Sequence, residues 1–403
     1  MRARFAATSC VVAVVAATVL FPATVAVAWP NASTAEGGTV RVSWAPENEA
    51  GNHTVSRTEA VAEAKRFDVI VALRSTYRSH VGAMKAANPD LVLLAYMNGT
   101  FAQRSQGKAY PAAWYMRNRW GKKIRSSGFG NYLMRFHRAG WINDREAACV
   151  RAISYSGYDG CMLDMLGTAP LDPGYLTSLP IHPRTGKVWT RAQWLDGTSR
   201  LAGSVKRGVV PRFVVANGIG SGPRYFAAGA ESERILNGID GGLAEAFIRA
   251  SRDGIRKYRS ERAWKQDVDM LVDAGARGDP ILALTKAWVT GTAAQKRAWH
   301  RYALASFLLG SDGRSRFSFS SGRDRDPTRD HPWWKVDLGA PTGRYGKADG
   351  VYQRSFTNGK VLVNPTDRTF TVWLGGPYVD LRGTVRTSVT LGPHDAEILT
   401  RPA

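Results

Sequence analysis

The stretch SGYDGCMLDMLG, residues 156–167, places a short apolar run between two aspartates, Asp159 and Asp164. Such a run is typical of a buried strand, and the helical pattern of REAACVRAIS at 145–154 precedes it directly. Carboxylates are rare inside buried strands, so both aspartates should mark strand ends. We expect Asp159 to cap a turn with Gly160 and Asp164 to lie at the carboxyl end of the strand.

The same alternation of strand-like and helix-like segments continues in both directions from this stretch. Eight strand-like segments lie at 39–44, 67–73, 91–96, 160–166, 212–218, 241–248, 280–288 and 315–320. Eight strand–helix units within about 250 residues are typical of an α/β fold, the (β/α)8 TIM barrel, which we predict for residues 29–344. The alternative is a doubly wound open sheet, which normally carries a glycine-rich phosphate loop after its first strand. SWAPENEAG at 43–51 is not such a loop.

The last part of the chain has a different pattern. Over residues 345–403, apolar and polar residues alternate without a helical period, and turn sequences such as NG, NP, GGP and RG interrupt them. This pattern predicts a small C-terminal antiparallel β-sandwich domain.

Residues 1–28 have the features of a signal peptide: a basic start, a short apolar core and the small-residue sequence AVA at 26–28. A retained N-terminal anchor is the alternative. We expect a secreted, extracellular protein with no membrane span after signal removal. Cys149 and Cys161 would remain, and the sequence leaves open whether they form a disulfide or stay as two buried thiols. Two cysteines without clustered histidines predict no metal site, and no cofactor is expected.

The chain is strongly basic, with a formal net charge of +22. Such a charge attracts polyanions, although a basic surface without a specific partner is an equally good interpretation. We find no recognisable nucleic-acid module, so an anionic glycan or the cell wall suits an exported protein better. The strip RNRWGKKIRSSG at 117–128 would meet an acidic or phosphorylated sugar, or would be a solvated loop.

Polar and aromatic residues follow the ends of the predicted strands, where the chemistry of a barrel enzyme is found. Asp164 and Glu245 are the predicted catalytic pair, because two carboxylates on different strands can act across a glycosidic bond as proton donor and as nucleophile or base. The alternatives are a structural carboxylate for Asp164, and for Glu245 an ion pair with Lys286 or Arg249. The predicted substrate-binding residues are Trp44, Arg74, Tyr96, Asn98, Asn217, Lys286 and Trp288.

Three motifs resemble one family. GYDGCMLDM at 157–165, NPDLVLLAYMNGT at 88–100, and the passage DLGAPTGRY at 337–345 with GVYQRSFTNGKVLVNPTD at 350–367 are similar to segments of secreted bacterial TIM-barrel proteins classed as glycoside hydrolases. These proteins are related to the polygalactosaminidase and α-galactosidase-like barrels, and they carry a C-terminal β-domain.

The resemblance implies cleavage of glycosidic bonds by paired carboxylates. In the α-galactosidase-like barrels the paired acids lie on the fourth and sixth strands, which here correspond to Asp164 and Glu245. A non-catalytic carbohydrate-binding or cell-wall-binding barrel is the competing function, and it needs the aromatic and amide residues but not both carboxylates.

Overall fold

The structure, a computed structural model, describes Trp29 and residues 55–103, 109–228, 232–311, 313–322 and 332–402. The predicted signal peptide at 1–28 and the predicted first strand at 39–44 lie outside the described residues.

A parallel sheet of seven strands forms the centre of the molecule. The strands are β1 Val69–Ala72, β2 Val92–Asn98, β5 Gly160–Asp164, β6 Phe213–Asn217, β7 Gly242–Ala244, β8 Ile281–Lys286 and β9 Arg316–Ser320. Their order in the sheet is β1-β2-β5-β6-β7-β8-β9. A two-stranded ribbon, β3 Phe101–Ala102 and β4 Tyr132–Leu133, lies in the loop after β2.

The sheet curls into a half-barrel, because alternate residues of six strands meet in one inner apolar cluster. Its members are Val69, Val71, Val92, Leu94, Met162, Phe213, Val215, Leu243, Leu282 and Leu284. Each fully buried side chain of this size contributes roughly 1.5–3 kcal/mol to folding. The predicted closed barrel of eight strands needs a correction here: the described part of the sheet has seven, and β1 and β9 are its edges. The ion pair of Arg316 with Asp68, 3.2 Å, nevertheless brings the starts of these edge strands together.

Helices cover the outer face of the sheet. They are α1 Arg57–Arg66, α2 Arg74–Tyr77, α3 Val81–Ala87, α4 Ala139–Ser156, α5 Arg191–Val209, α6 Gly222–Tyr225, α7 Glu261–Arg277 and α8 Ala293–Gly310. Capping boxes begin α1, α5 and α8, each with a Ser or Thr side chain that accepts from the backbone N–H three residues on. Gly157, with φ of 72°, ends α4 directly before the β5 strand. Within the described ranges, no helix is both long and apolar enough to cross a membrane.

A disulfide joins Cys149 of α4 to Cys161 of β5, with the two Cα atoms 5.8 Å apart. It is one of the two arrangements that the sequence left open. The bond attaches the helix to the strand that ends at Asp164.

The C-terminal region is one antiparallel sheet of six strands. The strands are β10 Gly346–Ala348, β11 Val351–Phe356, β12 Gly359–Asn364, β13 Phe370–Asp380, β14 Val385–Leu391 and β15 Asp395–Thr400. Their order in the sheet is β10-β11-β12-β15-β13-β14. The predicted antiparallel C-terminal domain is present, but its strands form one sheet rather than the two sheets of the predicted sandwich. A register shift between Trp373 and Tyr378 bends β13, so the sheet folds over its own apolar core instead of separating into two sheets. Arg301 of α8 bonds to Asp395 at 2.6 Å and fixes this sheet to the barrel.

Candidate active site

The carboxyl ends of the parallel strands meet at one edge of the half-barrel. Asn98, the last residue of β2, pairs in register with Asp164, the last residue of β5. Asn217 ends β6 beside it and pairs with Leu243, two residues before Glu245. Asp164 and Asn217, which end β5 and β6, therefore converge with Glu245, which follows β7, as the sequence pattern predicts for a barrel mouth.

Asp164 is held by hydrogen bonds on both carboxylate oxygens. The Tyr96 hydroxyl donates to Oδ2 at 2.6 Å. The Asn217 amide Nδ2 and the Met165 backbone N–H each donate to Oδ1 at 2.7 Å. The carboxylate consequently has one fixed orientation in a partly buried position.

Glu245 has different partners. Its Oε1 receives the Lys286 ammonium, and its Oε2 accepts from Asn217 Nδ2 at 3.0 Å. The Lys286 side chain is only 8% exposed, whereas that of Glu245 is 43% exposed and open to the cleft. The ion pair that the alternative interpretation of Glu245 expected is thus present, and it coexists with a bridge towards Asp164.

One side-chain nitrogen sets the separation of the two carboxylates. Asn217 Nδ2 lies 2.7 Å from Oδ1 of Asp164 and 3.0 Å from Oε2 of Glu245, so these two oxygens cannot be farther apart than the sum of those distances. Retaining glycosidases have their carboxyl groups about 5–5.5 Å apart, and inverting ones about 6.5–9.5 Å. This upper limit on the two bridged oxygens is closer to the retaining range than to the inverting range.

The two carboxyl groups have pKa values shifted in opposite directions. Burial, and then the charge of Glu245, raise the pKa of Asp164 to about 6 against the lowering effect of its hydrogen bonds. Burial would also raise the pKa of Glu245, but the Lys286 charge and the hydrogen bonds from Lys286 and Asn217 outweigh it and hold that pKa below its ordinary value. Between the two values Asp164 carries a proton and Glu245 a charge, the protonation state that acid and nucleophile roles require.

Four of the seven predicted substrate-binding residues lie at the site. Tyr96, Asn217 and Lys286 contact the carboxylates directly, and the Lys286 Nζ also lies 4.5 Å from the ring centroid of Trp288. Trp288 Nε1 donates to Ser320 Oγ at 2.8 Å, which fixes the indole beside the cleft.

Two predicted residues turn away from the pair, and one lies outside the described residues. Asn98 is buried, and its Oδ1 accepts the backbone N–H groups of Thr100 and Phe101, so it organises the loop after β2. Arg74 donates from Nε to Ser156 Oγ at 2.7 Å, at the end of α4. Trp44 is the residue outside the described ranges.

Tyr175 lies near the pair and was missed by the sequence reasoning. Burial, and then the charges of Asp164 and Glu245, hold the pKa of its hydroxyl well above the ordinary value. The hydroxyl donates to the Met165 sulfur at 3.4 Å, a weak acceptor. Tyr175 stands in the turn-rich segment TAPLDPGYLTS at 168–178, where its only signal is an aromatic residue in the loop that follows Asp164.

The loop that carries Tyr175 is anchored by two arginines. The Asp172 carboxylate accepts from Arg191 at 2.6 Å and from Arg224 at 2.8 Å. These guanidinium groups come from α5 and α6, so the loop after β5 is tied to the two helices that follow it. Tyr175 is therefore presented from a fixed loop.

A buried ion pair supports the loop that follows Glu245. Asp267 of α7 accepts from Arg259 at 2.5 Å, from the Gly222 N–H at 2.7 Å and from the Ile248 N–H at 3.2 Å. Arg259 also donates to the Ala246 carbonyl at 2.6 Å. The Asp267 carboxylate thus connects the loop after β6 to the loop after β7.

Two non-glycine residues beside the pair have left-handed backbone conformations. Met165, next to Asp164, has φ of 65°, and Ile248, three residues after Glu245, has φ of 64°. This conformation is rare for a bulky or β-branched residue, and such strain is concentrated at functional sites. At Met165 it directs the backbone N–H onto the carboxylate of its own neighbour.

In the part of the chain that the structure describes, no group of three or more His, Cys, Asp or Glu side chains is arranged to hold a metal ion. What the site offers is two carboxyl groups, an amide that bridges them, a buried ammonium and phenol hydroxyls.

Residues 85–360, more than half of the chain, match the sequence profile of the family described as hypothetical glycosyl hydrolase family 15. No curated protein sequence matches the chain.

Several solved structures share the fold. A maltogenic α-amylase from Thermotoga neapolitana has a TM-score of 0.52 at 10% identity, over 91% of this chain and 100% of that one. Pullulanase type I from Bacillus subtilis str. 168, complexed with maltose, has a TM-score of 0.52 at 10% identity, over 93% and 72%. A GH31 dextranase from Flavobacterium johnsoniae, complexed with glucose, has a TM-score of 0.51 at 12% identity, over 91% and 52%. At these identities the likeness shows the fold alone, a TIM-barrel-like sheet followed by a β-domain.

Proposed function

The chain belongs to the hypothetical glycosyl hydrolase family 15, and we propose that it cleaves a glycosidic bond in a polysaccharide or oligosaccharide with Asp164 and Glu245 as its catalytic pair. The observation that carries the proposal is the Asn217 amide, whose single nitrogen bonds to both carboxylates. A structural ion pair would need Lys286 and Glu245 only. It would not need a second carboxylate within reach, where burial and then repulsion from Glu245 raise the pKa of Asp164.

The opposite pKa shifts support an assignment of roles. Asp164, with the raised pKa, donates its proton to the departing glycosidic oxygen while the ionised Glu245 attacks the anomeric carbon and forms a glycosyl ester. Asp164, now ionised, takes a proton from a water molecule that attacks the same carbon and releases Glu245. Two displacements restore the starting anomeric configuration, so we propose a retaining enzyme.

Solved structures that share this fold and contain a bound sugar support the proposal of a glycan ligand. A pullulanase with this fold was solved with maltose, and a dextranase with glucose. The closer relationship to polygalactosaminidase and α-galactosidase-like barrels rests on the sequence motifs and belongs to the proposal.

We also propose that the protein is exported. The pattern of residues 1–28 supports this, and so does the Cys149–Cys161 disulfide, because disulfides persist mainly in oxidising compartments. Fractionation of cells that express the full chain, with N-terminal sequencing of the product, tests it. Protein retained in the reducing cytoplasm with an intact N-terminus would contradict export.

The hydrolase proposal is tested by incubating the protein with neutral, amino and acidic glycans and following the products by NMR. We expect one class to be cleaved, with the first product in the anomeric configuration of the substrate. Asp164→Asn and Glu245→Gln should each lower the rate of cleavage by about 10²-fold or more without loss of glycan binding. Binding without any turnover by the unaltered protein would favour the non-catalytic barrel instead.

Azide distinguishes the two roles. With an activated aryl glycoside, azide should rescue Glu245→Ala as the inverted glycosyl azide, because the nucleophile is missing. It should rescue Asp164→Ala as the retained azide, because the covalent intermediate still forms. The reverse pattern would exchange the two roles, and rescue of neither variant would contradict a retaining pair.

A further inference from the structure

One long segment beside the mouth contains no acidic residue. Between Asp90 and Asp144 the sequence has neither Asp nor Glu, although it has Arg and Lys at nine positions: Arg104, Lys108, Arg117, Arg119, Lys122, Lys123, Arg125, Arg135 and Arg138. A solvated loop normally mixes both signs of charge, so this exclusion of carboxylates needs a reason.

The centre of the segment is a tight hairpin, which we call the basic hairpin, residues 117–125. Arg117 and Lys123 pair as an antiparallel bridge. The Asn118 side-chain oxygen accepts the backbone N–H groups of Trp120 and Lys122, both at 3.0 Å. Gly121, with φ of +74°, completes the turn. The tip is therefore held by the hairpin's own hydrogen bonds.

The tip presents cations and an aromatic ring to solvent. Trp120 is 64% exposed, and the Arg119 guanidinium lies 4.2 Å from its ring centroid. The Lys123 ammonium lies 3.7 Å from the ring centroid of Tyr115. Among the described residues, no carboxylate forms an ion pair with Arg119, Lys122 or Lys123. Arg119 and Lys123 rest on aromatic faces, which leaves their outward sides open to an anion, and the Lys122 side chain is exposed beside them.

The basic hairpin is attached to the loop that follows Asp164. Asn118 Nδ2 donates to Ser178 Oγ at 3.2 Å, and the Arg125 N–H donates to Thr177 Oγ1 at 3.1 Å. The Ser127 N–H donates to the carbonyl of Tyr175 at 2.8 Å. Tyr175 is the residue whose hydroxyl lies near the two catalytic carboxylates, so the hairpin borders the catalytic cleft.

We infer that the basic hairpin is a specificity-determining subsite for a glycan that carries an anionic group on its sugar units. The inference rests on the proposed function, because it places the charged chain in the same cleft. Lys122, Lys123 and Arg119 would bind the anionic groups, and the Trp120 ring would pack on a sugar face. A single-stranded nucleic acid would also suit cations and a ring, but the attachment of the hairpin to the cleft favours a glycan.

The test measures binding rather than turnover, and it uses the full chain with Asp164→Asn. The probes are a hexasaccharide of galacturonic acid, its carboxyl-reduced neutral counterpart, a phosphate-bearing oligosaccharide and a single-stranded oligonucleotide. Titration calorimetry at two salt concentrations gives the affinity for each. The altered protein combines Arg119→Ser, Lys122→Ser and Lys123→Ser. The matched control removes three exposed cations from the C-terminal sheet, with Arg368→Ser, Arg382→Ser and Arg401→Ser.

We expect the hairpin variant to bind one or both anionic oligosaccharides about tenfold or more weakly, with a shallower salt dependence. Its affinity for the neutral counterpart should change less than about twofold, and the control variant should match the starting protein for all probes. Preference for the carboxylate or the phosphate probe identifies the anionic group.

Three results would overturn the inference: equal losses in the hairpin and control variants, binding of neither anionic oligosaccharide, or hairpin-dependent binding of the oligonucleotide alone. Thermal unfolding of both variants shows that they are folded. Because no cleavage is needed, a failure of the hydrolase proposal would appear in the turnover assay and leave these affinities interpretable.

Discussion

Strand β5 carries one aspartate at each end, and the two carboxylates have opposite surroundings. Asp159, before the strand, forms an ion pair with Lys85 at 2.6 Å and accepts the Leu93 N–H at 2.8 Å. Asp164, at the end of the strand, faces Glu245 across the Asn217 amide. The first carboxylate is neutralised by a cation, and the second lies beside a like charge.

Burial alone therefore does not identify the carboxylate that we propose as catalytic. Asp159 is 3% exposed and more buried than Asp164, yet its partners make it a structural tie between α3, β2 and β5. The expected turn cap with Gly160 is not what its carboxylate does. At Asp164 the repulsion from Glu245 adds to burial and raises the pKa to about 6. A carboxyl group that can change protonation near neutral pH can exchange a proton with a substrate.

Replacement of Asp164 should have the largest effect on activity. Asp164→Asn should lower kcat about 10²–10⁴-fold, because the isosteric amide cannot deliver the proton. The folded-state pKa of Asp164 lies above its unfolded value, so its ionisation costs stability as pH rises from about 4 to about 6. The neutral variant avoids that cost. Its Tm at pH 7 should equal or exceed that of the starting protein, and a large loss of Tm would show that the carboxylate is structural.

Asp159→Asn should lower the stability of the protein and leave its activity nearly unchanged. It removes the ion pair with Lys85 at the base of the strand, and the loss of a charged hydrogen bond of this kind costs about 2 kcal/mol in the free energy of unfolding. Chemical denaturation measures this cost, and kcat should stay within about twofold, since Asp159 lies at the opposite end of β5 from the mouth. A fall in kcat comparable to that of Asp164→Asn, with stability unchanged, would contradict the assignment of Asp159 to stability and of Asp164 to catalysis.

The sequence was sufficient for the parts of the site that follow from strand periodicity. Asp164, Asn217 and Glu245 follow parallel strands, so their convergence could be predicted before any coordinate was known. Asn98 and Arg74 also follow strands, but their side chains found nearer partners in the Thr100 N–H and the Ser156 hydroxyl. Strand position does not say which partner a side chain chooses.

Two features of the fold were beyond the sequence pattern. Alternating residues predict antiparallel strands, but the bend in β13 that keeps six strands in one sheet depends on a local register shift. Tyr175 reaches the cleft because Arg191 and Arg224 hold the Asp172 carboxylate from two helices. These contacts join residues far apart in the chain, and no local spacing encodes them.

Lys286 is the cation that distinguishes the surroundings of Glu245 from those of Asp164. In the unaltered protein, kcat/KM should be highest between the two pKa values and should fall about tenfold per pH unit above about 6, as Asp164 loses its proton. Lys286→Met removes the charge that lowers the pKa of Glu245, so that pKa rises and the acidic limb of the profile moves to higher pH. We expect a shift of about one pH unit or more, with a narrower maximum.

A control for this profile is Lys206→Met, which removes a partly buried ammonium paired with Asp240, a residue just before β7 at the end of the strand opposite the mouth. Its pH dependence should match that of the unaltered protein. If the acidic limb of the kcat/KM profile stays at the same pH in Lys286→Met, the ionisation of Glu245 does not determine that limb.

The smallest effect is expected at Tyr175. Tyr175→Phe removes a hydroxyl whose partner is the Met165 sulfur at 3.4 Å, so the free energy of unfolding should change by less than about 0.5 kcal/mol. We expect kcat/KM to fall about fivefold, mainly through KM, because the phenol beside the carboxylates no longer donates to a sugar hydroxyl. Tyr158→Phe is the matched control, since its buried hydroxyl donates to the Leu73 carbonyl at 3.0 Å and is remote from the pair. That variant should lose about 1 kcal/mol of stability and keep its kinetics. If Tyr175→Phe loses stability and keeps kcat/KM, Tyr175 belongs with Asp159 among the residues that hold the barrel rather than with those that face the substrate.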